Sequence, residues 1–192
     1  MLNYLHEKQG WIEVICGSMY SGKSEELIRR LKRAEIAKQR IAIFKPYIDE
    51  RYEKEYIISH DQRKLKSQRI DKPYEMLSLA KNADVIAIDE AQFMDNSLID
   101  VVETLANAGK RVIVAGLDMD YRGEPFHPMP AIIAKAEEVT KVHAICVVCG
   151  NPANFSQRIA QNDDLIAIGS NDLYEARCRL HFIKPKHERK SE

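Results

Sequence analysis

The octapeptide Gly17-Ser-Met-Tyr-Ser-Gly22-Lys23-Ser24 matches GxxxxGK[ST] at every fixed position and constrains the fold more than any other part of the chain. Such a loop works only between a strand and a helix. Its backbone amides curl around phosphate oxygens while the helix behind it aims its positive end at them. The flanking sequence supplies both elements. Ile12-Glu-Val-Ile-Cys16 reads as a short apolar strand, and Leu27, Ile28, Leu31 and Ala34 recur at helical spacing from a start near Ser24. Within the loop, Gly17, Ser18, Met19, Tyr20, Ser21 and Gly22 are expected to wrap the phosphates. Lys23 adds a point charge, and the Ser24 hydroxyl is a candidate Mg²⁺ ligand.

Further strands are expected at Ile41–Phe44, Val85–Ile88 and Val112–Ala115, with a helix marked by Leu98, Val101, Val102 and Leu105 and closed by Gly109. The polar stretch from Lys45 to about Lys72 reads as loop, with one short β segment near Tyr56–Ser59. Strands alternating with helices predict an α/β fold of the RecA-like P-loop NTPase kind, a mostly parallel sheet with helices on both faces. The apolar strand Val85–Ile88 ends in Asp89-Glu90. A carboxylate at that place suits Mg²⁺, and Glu90 beside the γ-phosphate is a candidate base for the proton of an attacking hydroxyl. Arg29, Arg30, Lys32 and Arg33 read as the charged outer face of the first helix.

The last third of the chain changes character. Cys146-Val-Val-Cys149 and Cys178-Arg-Leu-His181 offer three thiolates and one imidazole, the closed set of a structural Zn²⁺ site. The boundaries expected are an ATP-binding domain over 1–141, a zinc-binding β lobe over 142–183, and a solvated tail over 184–192. Cys16 reads as a small buried hydrophobe, and His60, His127 and His143 as surface or loop histidines.

Whole-chain numbers exclude several classes. The 192 residues allow one α/β domain and a small lobe, and 45% hydrophobic with 30% charged residues is an ordinary globular balance. Twenty-nine Lys and Arg against 29 Asp and Glu give no excess for a nucleic-acid backbone, so small-molecule partners are expected. Glu7 and Lys8 interrupt any secretory leader, and no apolar run is long enough for a membrane span. A reducing, cytoplasmic setting is the expectation.

With these residues in place, the chain resembles the zinc-containing, cellular-type thymidine kinases. The resemblance is carried by GSMYSGKS, VIAIDEAQF (85–93), GLDMDYRGEPF (116–126) and the CxxC with CRLH, in the family's order, from Gly10 to about Ile183. It implies transfer of the γ-phosphoryl of ATP to the 5′-hydroxyl of thymidine or deoxyuridine, in pyrimidine salvage. Glu90 then matches the catalytic base. Gly17 to Ser24 and Asp89, Glu90, Ala91 and Gln92 match ATP and Mg²⁺ contacts, and Asp49 and Arg51 match polar residues near the phosphates. Met19, Phe93, Leu117, Tyr121, Phe126, Ser156 and Tyr174 match the nucleoside pocket. Leu165, Ile166, Ala167, Ile168 and Gly169 match a lasso loop that contacts the base through its backbone. The resemblance also implies a homotetramer and feedback inhibition by dTTP. Tyr121 stands where Phe is common, Ser156 where Thr is common, and His181 where many members have Cys.

The rival class is a nucleic-acid-dependent P-loop ATPase with a zinc ribbon, against which the balanced charge and the lack of an arginine-rich stripe weigh. A regulatory GTPase would need Asp-x-x-Gly where Asp89-Glu-Ala-Gln92 stands, and the chain has no Asn-Lys-x-Asp guanine reader.

Overall fold

A computed structural model describes residues 9–47, 56–58, 64–159 and 173–185, the side chains of 56–58 and 64 excepted. Its centre is a six-stranded sheet. In chain order the strands and helices are β1 (Trp11–Cys16), α1 (Lys23–Ile36), β2 (Ile41–Pro46), β3 (Tyr56–Ile58), β4 (Lys64–Lys66), β5 (Gln68–Ile70), α2 (Glu75–Leu79) and β6 (Val85–Ile88). There follow α3 (Ser97–Asn107), β7 (Arg111–Gly116), α4 (Met129–Lys135), β8 (Glu138–Lys141), β9 (Ala144–Ile145), β10 (Pro152–Ala153), β11 (Phe155–Arg158) and β12 (Tyr174–Arg177).

The large sheet runs β5-β2-β6-β7-β1-β8, and each neighbouring pair in it is parallel. Parallel strands need crossovers, and those crossovers place helices on both faces. The two faces are legible in the alternation of β1. Val14 and Cys16 point into a core shared with Leu98, Val101 and Leu105 of α3 and with Met129 and Ile132 of α4. Ile15 points the other way, against Leu27, Ile28, Leu31 and Ala34 of α1. All four stripe residues of α1 are buried, as their spacing predicts. Of the strands expected from sequence in the large sheet, Val85–Ile88 appears with its expected bounds and the other three gain one or two residues, and Gly109 ends the α3 turn at φ 78°.

Two readings need correction. The stretch from Lys45 to Lys72 is not all loop beyond the Tyr56 segment. Gln68–Ile70 forms β5, the sheet's edge next to β2, and β4 pairs antiparallel with β3. Of the three β5 side chains only Ile70 is buried, so this strand joins through backbone hydrogen bonds and carries no apolar alternation. Arg30 is also not on the outer face of α1. It is 6% exposed, and its guanidinium meets Glu13 Oε2 at 2.5 Å, Glu26 Oε1 at 2.9 Å and Thr140 Oγ1 at 2.8 Å. Arg111 Nε and Trp11 Nε1 donate to Glu13 Oε1 at 2.6 and 2.7 Å. Burial pushes the Glu13 carboxyl up, but the hydrogen bonds from Arg111, Trp11 and Arg30 outweigh it and hold the group below its ordinary range. This network ties α1 to β1, β7 and β8. Removing one member of such a buried set typically costs about 3–5 kcal/mol, because the remaining charges stay desolvated.

Beyond β8 the strands leave the main sheet. β9 pairs with β10 and β11 with β12, each as an antiparallel pair around Ala144, Cys146, Ala153, Ala176 and Cys178. Among the described residues no helix is long and apolar enough to cross a membrane.

Candidate active site

The loop 17–22 joins β1 to α1 at the C-terminal edge of the sheet. Gly17 has φ 144°, and a Cβ there would lie 2.2 Å from the carbonyl oxygen of Val142, so the backbone of the following segment fits only against glycine. Gly22 caps α1 at φ 84°, and Tyr20 holds φ 63° without being glycine. Ser21 Oγ and Lys23 Nζ both donate to the Ser18 carbonyl at 2.7 Å, which closes the loop on itself. Burial pushes the Lys23 ammonium's pKa down, opposed by the charges of Glu90, Asp89 and Asp118. Ser24 lies half-buried in the first turn of α1.

β7 separates β1 from β6, so the end of β6 opens near the loop. There Asp89 is buried, its amide bonded to Phe44 O at 3.0 Å and its carboxylate 3.8 Å from Lys45 Nζ. Burial, reinforced by the neighbouring Glu90 charge, pushes the Asp89 carboxyl up to about 6. Glu90 turns the chain through the left-handed region at φ 54° and leaves its carboxylate half-buried. A non-glycine residue in that conformation costs on the order of 1–3 kcal/mol and is concentrated at functional sites. The buried Gln92 holds it. Its Nε2 donates to Glu90 Oε2 at 2.6 Å, and its Oε1 accepts from the Leu117 amide at 2.9 Å. A Cβ on Gly116 would come 2.8 Å from that oxygen, so the end of β7 is bare where Gln92 passes. Ala91 is fully buried beside them.

The residues matched to a nucleoside pocket gather on two sides. Phe93 and Phe126 meet edge to face with centroids 6.0 Å apart. Tyr121 and Tyr174 are buried and joined by Arg158, a residue the sequence reading missed. Its guanidinium lies 3.7 Å from the Tyr121 ring centroid, and its Nε donates to the Tyr174 hydroxyl at 3.2 Å. Nothing local in Phe155-Ser-Gln-Arg158 announces a buried cation. Met19 and Leu117 are half-buried, and the Ser156 hydroxyl accepts from the Met19 amide at 3.0 Å. Asp118, also missed, is buried and pairs with Lys141 at 2.6 Å. Asp49, Arg51 and the stretch Leu165, Ile166, Ala167, Ile168 and Gly169 lie outside the described residues, as do His60 and the chain from 186 on.

Cys146, Cys149, Cys178 and His181 converge, their ligand atoms all within 4.8 Å of one another. The Cys149 and Cys178 sulfurs are 3.7 Å apart, and His181 Nδ1 lies 3.3 and 3.8 Å from the sulfurs of Cys178 and Cys146. A tetrahedron with zinc–sulfur bonds of about 2.3 Å has edges of about 3.8 Å, so the four groups fit Zn²⁺. All four positions are taken by protein, as in a structural site. Cys16 is buried and its thiol is pushed up to about 11 by that burial, which suits an inert hydrophobe. His127 and His143 are exposed.

The family model described as "Thymidine kinase" matches residues 10–182. The thymidine kinase of Rhodothermus sp. (strain ITI 518) is 57% identical over 177 residues, covering 92% of this chain and 83% of that protein. The thymidine kinase of Bacteroides thetaiotaomicron is 54% identical over 181 residues, covering 94% and 91%. That of Bdellovibrio bacteriovorus is 51% identical over 185 residues, covering 96% and 90%.

Proposed function

As the chain belongs to the thymidine kinase family, we propose that Glu90 is the base of its reaction and that the loop Gly17–Ser24 holds the phosphates of ATP. The enzyme phosphorylates thymidine; the acceptor is the 5′-hydroxyl, and deoxyuridine is the alternative nucleoside. The observation that carries this assignment is the Glu90 carboxylate itself, fixed by Gln92 just past the end of β6 on a left-handed backbone turn. In the transfer, the hydroxyl oxygen forms a bond to the γ-phosphorus as the bond to the β,γ-bridging oxygen breaks. Glu90 takes the hydroxyl proton, and ADP leaves with the bridging oxygen. The loop amides and Lys23 neutralise the charge spreading over the phosphoryl oxygens.

Mg²⁺ belongs to the same proposal. The Ser24 hydroxyl and the Asp89 carboxylate are hard oxygen donors of the type it takes and would hold it, and when bound it would supply positive charge to offset that of the ATP phosphates. Structural Zn²⁺ on Cys146, Cys149, Cys178 and His181 would support the nucleoside side of the site. That side comprises Met19, Phe93, Leu117, Tyr121, Phe126, Ser156 and Tyr174 together with the loop 165–169. We also assign the ATP domain to 1–141, the zinc lobe to 142–183 and a tail to 184–192. Homotetramer formation, inhibition by dTTP and a cytoplasmic setting complete the reading, with neither nucleic acid nor membrane as a partner.

The test is a phosphorylation assay with ATP and Mg²⁺ over a panel of nucleosides. Thymidine and deoxyuridine are expected to be the acceptors, and transfer to purine nucleosides alone would overturn the assignment. A pH profile tests Asp89. Its folded pKa of about 6 lies above its ordinary 3.8, so the folded chain binds the extra proton between those values. The group's contribution to stability therefore falls as pH rises through that window and levels off above it. Metal binding needs the ionised form. The kcat/KM for ATP is expected to fall below about pH 6, with the acid limb moving to lower pH as Mg²⁺ is raised. A limb that ignores Mg²⁺ would remove Asp89 from the metal site.

A further inference from the structure

Three consecutive residues of the phosphate loop are hydrogen-bonded to three different strands of the small β region. Ser18 Oγ donates to Ala153 O of β10 at 3.3 Å, the Met19 amide donates to Ser156 Oγ of β11 at 3.0 Å, and Tyr20 Oη donates to Tyr174 O of β12 at 3.2 Å. Ser18, Ala153, Ser156 and Tyr174 are all at least nine-tenths buried. The Tyr20 ring also packs against the core of that region, which includes Cys146 and Cys178. Its backbone stays at φ 63°, a conformation that a bulky residue keeps only when its surroundings over-determine it.

We propose that β10, β11 and β12 form part of the nucleotide site, holding Ser18, Met19 and Tyr20 in the phosphate-binding conformation before any nucleoside arrives. This rests on the reading of Gly17–Ser24 as the ATP loop. Ser156 becomes a positioning residue for ATP, because its hydroxyl is engaged by the Met19 amide. An amide released from that partner lets the loop sample other shapes, and nucleotide affinity falls by the fraction of time the competent shape is lost.

The experiment is calorimetric titration of the full-length, metal-loaded chain with a non-hydrolysable ATP analogue and Mg²⁺, without nucleoside. Ser156→Ala is expected to raise Kd about five- to tenfold, while Ser156→Thr, which keeps the hydroxyl, restores most of the affinity. Tyr20→Asn, which tolerates the left-handed backbone but lacks the ring, is expected to raise it about tenfold or more. Should Ser156→Ala lose its metal or its cooperative melt, Ser18→Ala carries the same test through β10. If the alanine variants bind the analogue as wild type does, the β strands serve only the nucleoside and the proposal is overturned. Lys23→Met separates the two readings: unaltered nucleotide binding in that variant would overturn the phosphate-loop assignment itself.

Discussion

Glu90→Gln is expected to lower kcat by a factor of about 10³, the middle of the range for loss of a positioned general base, with the KM values for ATP and thymidine within a few-fold of wild type. The substitution is nearly isosteric. An amide oxygen in place of Glu90 Oε2 still accepts from Gln92 Nε2, so the 2.6 Å clamp to Gln92 and its link to Leu117 persist. Only the capacity to take a proton and one negative charge are lost. Removing that charge beside Lys23 does not weaken phosphate binding, because Glu90 repels the triphosphate that Lys23 attracts. The defect therefore belongs in kcat, the pattern of an interaction made only in the transition state. Steady-state kinetics with both substrates varied reads it directly. A kcat within tenfold of wild type would sink the role of Glu90. Glu90→Asp is a useful companion, since it keeps the base but withdraws it by about one methylene. A partial loss there separates reach from chemistry.

The residues proposed to carry the reaction were legible in the sequence because their signals are local. A phosphate loop is one contiguous string between a strand and a helix, and its α1 stripe of Leu27, Ile28, Leu31 and Ala34 is buried as the spacing requires. The metal site is two short strings whose ligand chemistry is restrictive enough to identify the cluster. What could not be read is long-range. Arg30 sits among three surface cations of the same helix, and only the approach of Glu13 and Thr140, 17 and 110 residues away in sequence, makes it a buried ion. Strand β5 shows one buried side chain in three, too few for a period to register. Arg158 and Asp118 find their partners across elements, Arg158 over Tyr121 and Asp118 with Lys141, and no spacing rule encodes such pairs. Gln92 is intermediate. The sequence placed it two residues from Glu90, the proposed base, while the structure gives it two hydrogen bonds that orient Glu90 and fasten the end of β7.

Cys178→Ser is expected to be the most destructive single change to the lobe, releasing Zn²⁺, unfolding the β9–β12 region and lowering activity by at least about 10³ while the six-stranded sheet stays folded. The core of that region explains the size of the effect. It consists of Ala144, Cys146, Ala153, Ala176 and Cys178, with Tyr20 packed against it. Beyond three alanines, these strands bury only Phe155 and Tyr174 as larger apolar side chains, too little surface to hold a domain without the metal. Structural zinc contributes about 10–16 kcal/mol in comparable small sites, as large as the whole net stability of many domains. The main sheet has its own independent cores on its two faces and does not need the metal. Loss of the lobe removes Ser156 and Tyr174 from the proposed nucleoside side and frees Ser18, Met19 and Tyr20 of the proposed phosphate loop at the same time. Both substrates are therefore affected. Metal content, hydrogen exchange resolved over 144–183 and nucleotide titration together read the outcome. His181→Cys keeps a four-ligand set and is expected to retain metal and fold. A Cys178→Ser protein that melts, exchanges and turns over like wild type without zinc would show that these β strands stand by packing alone.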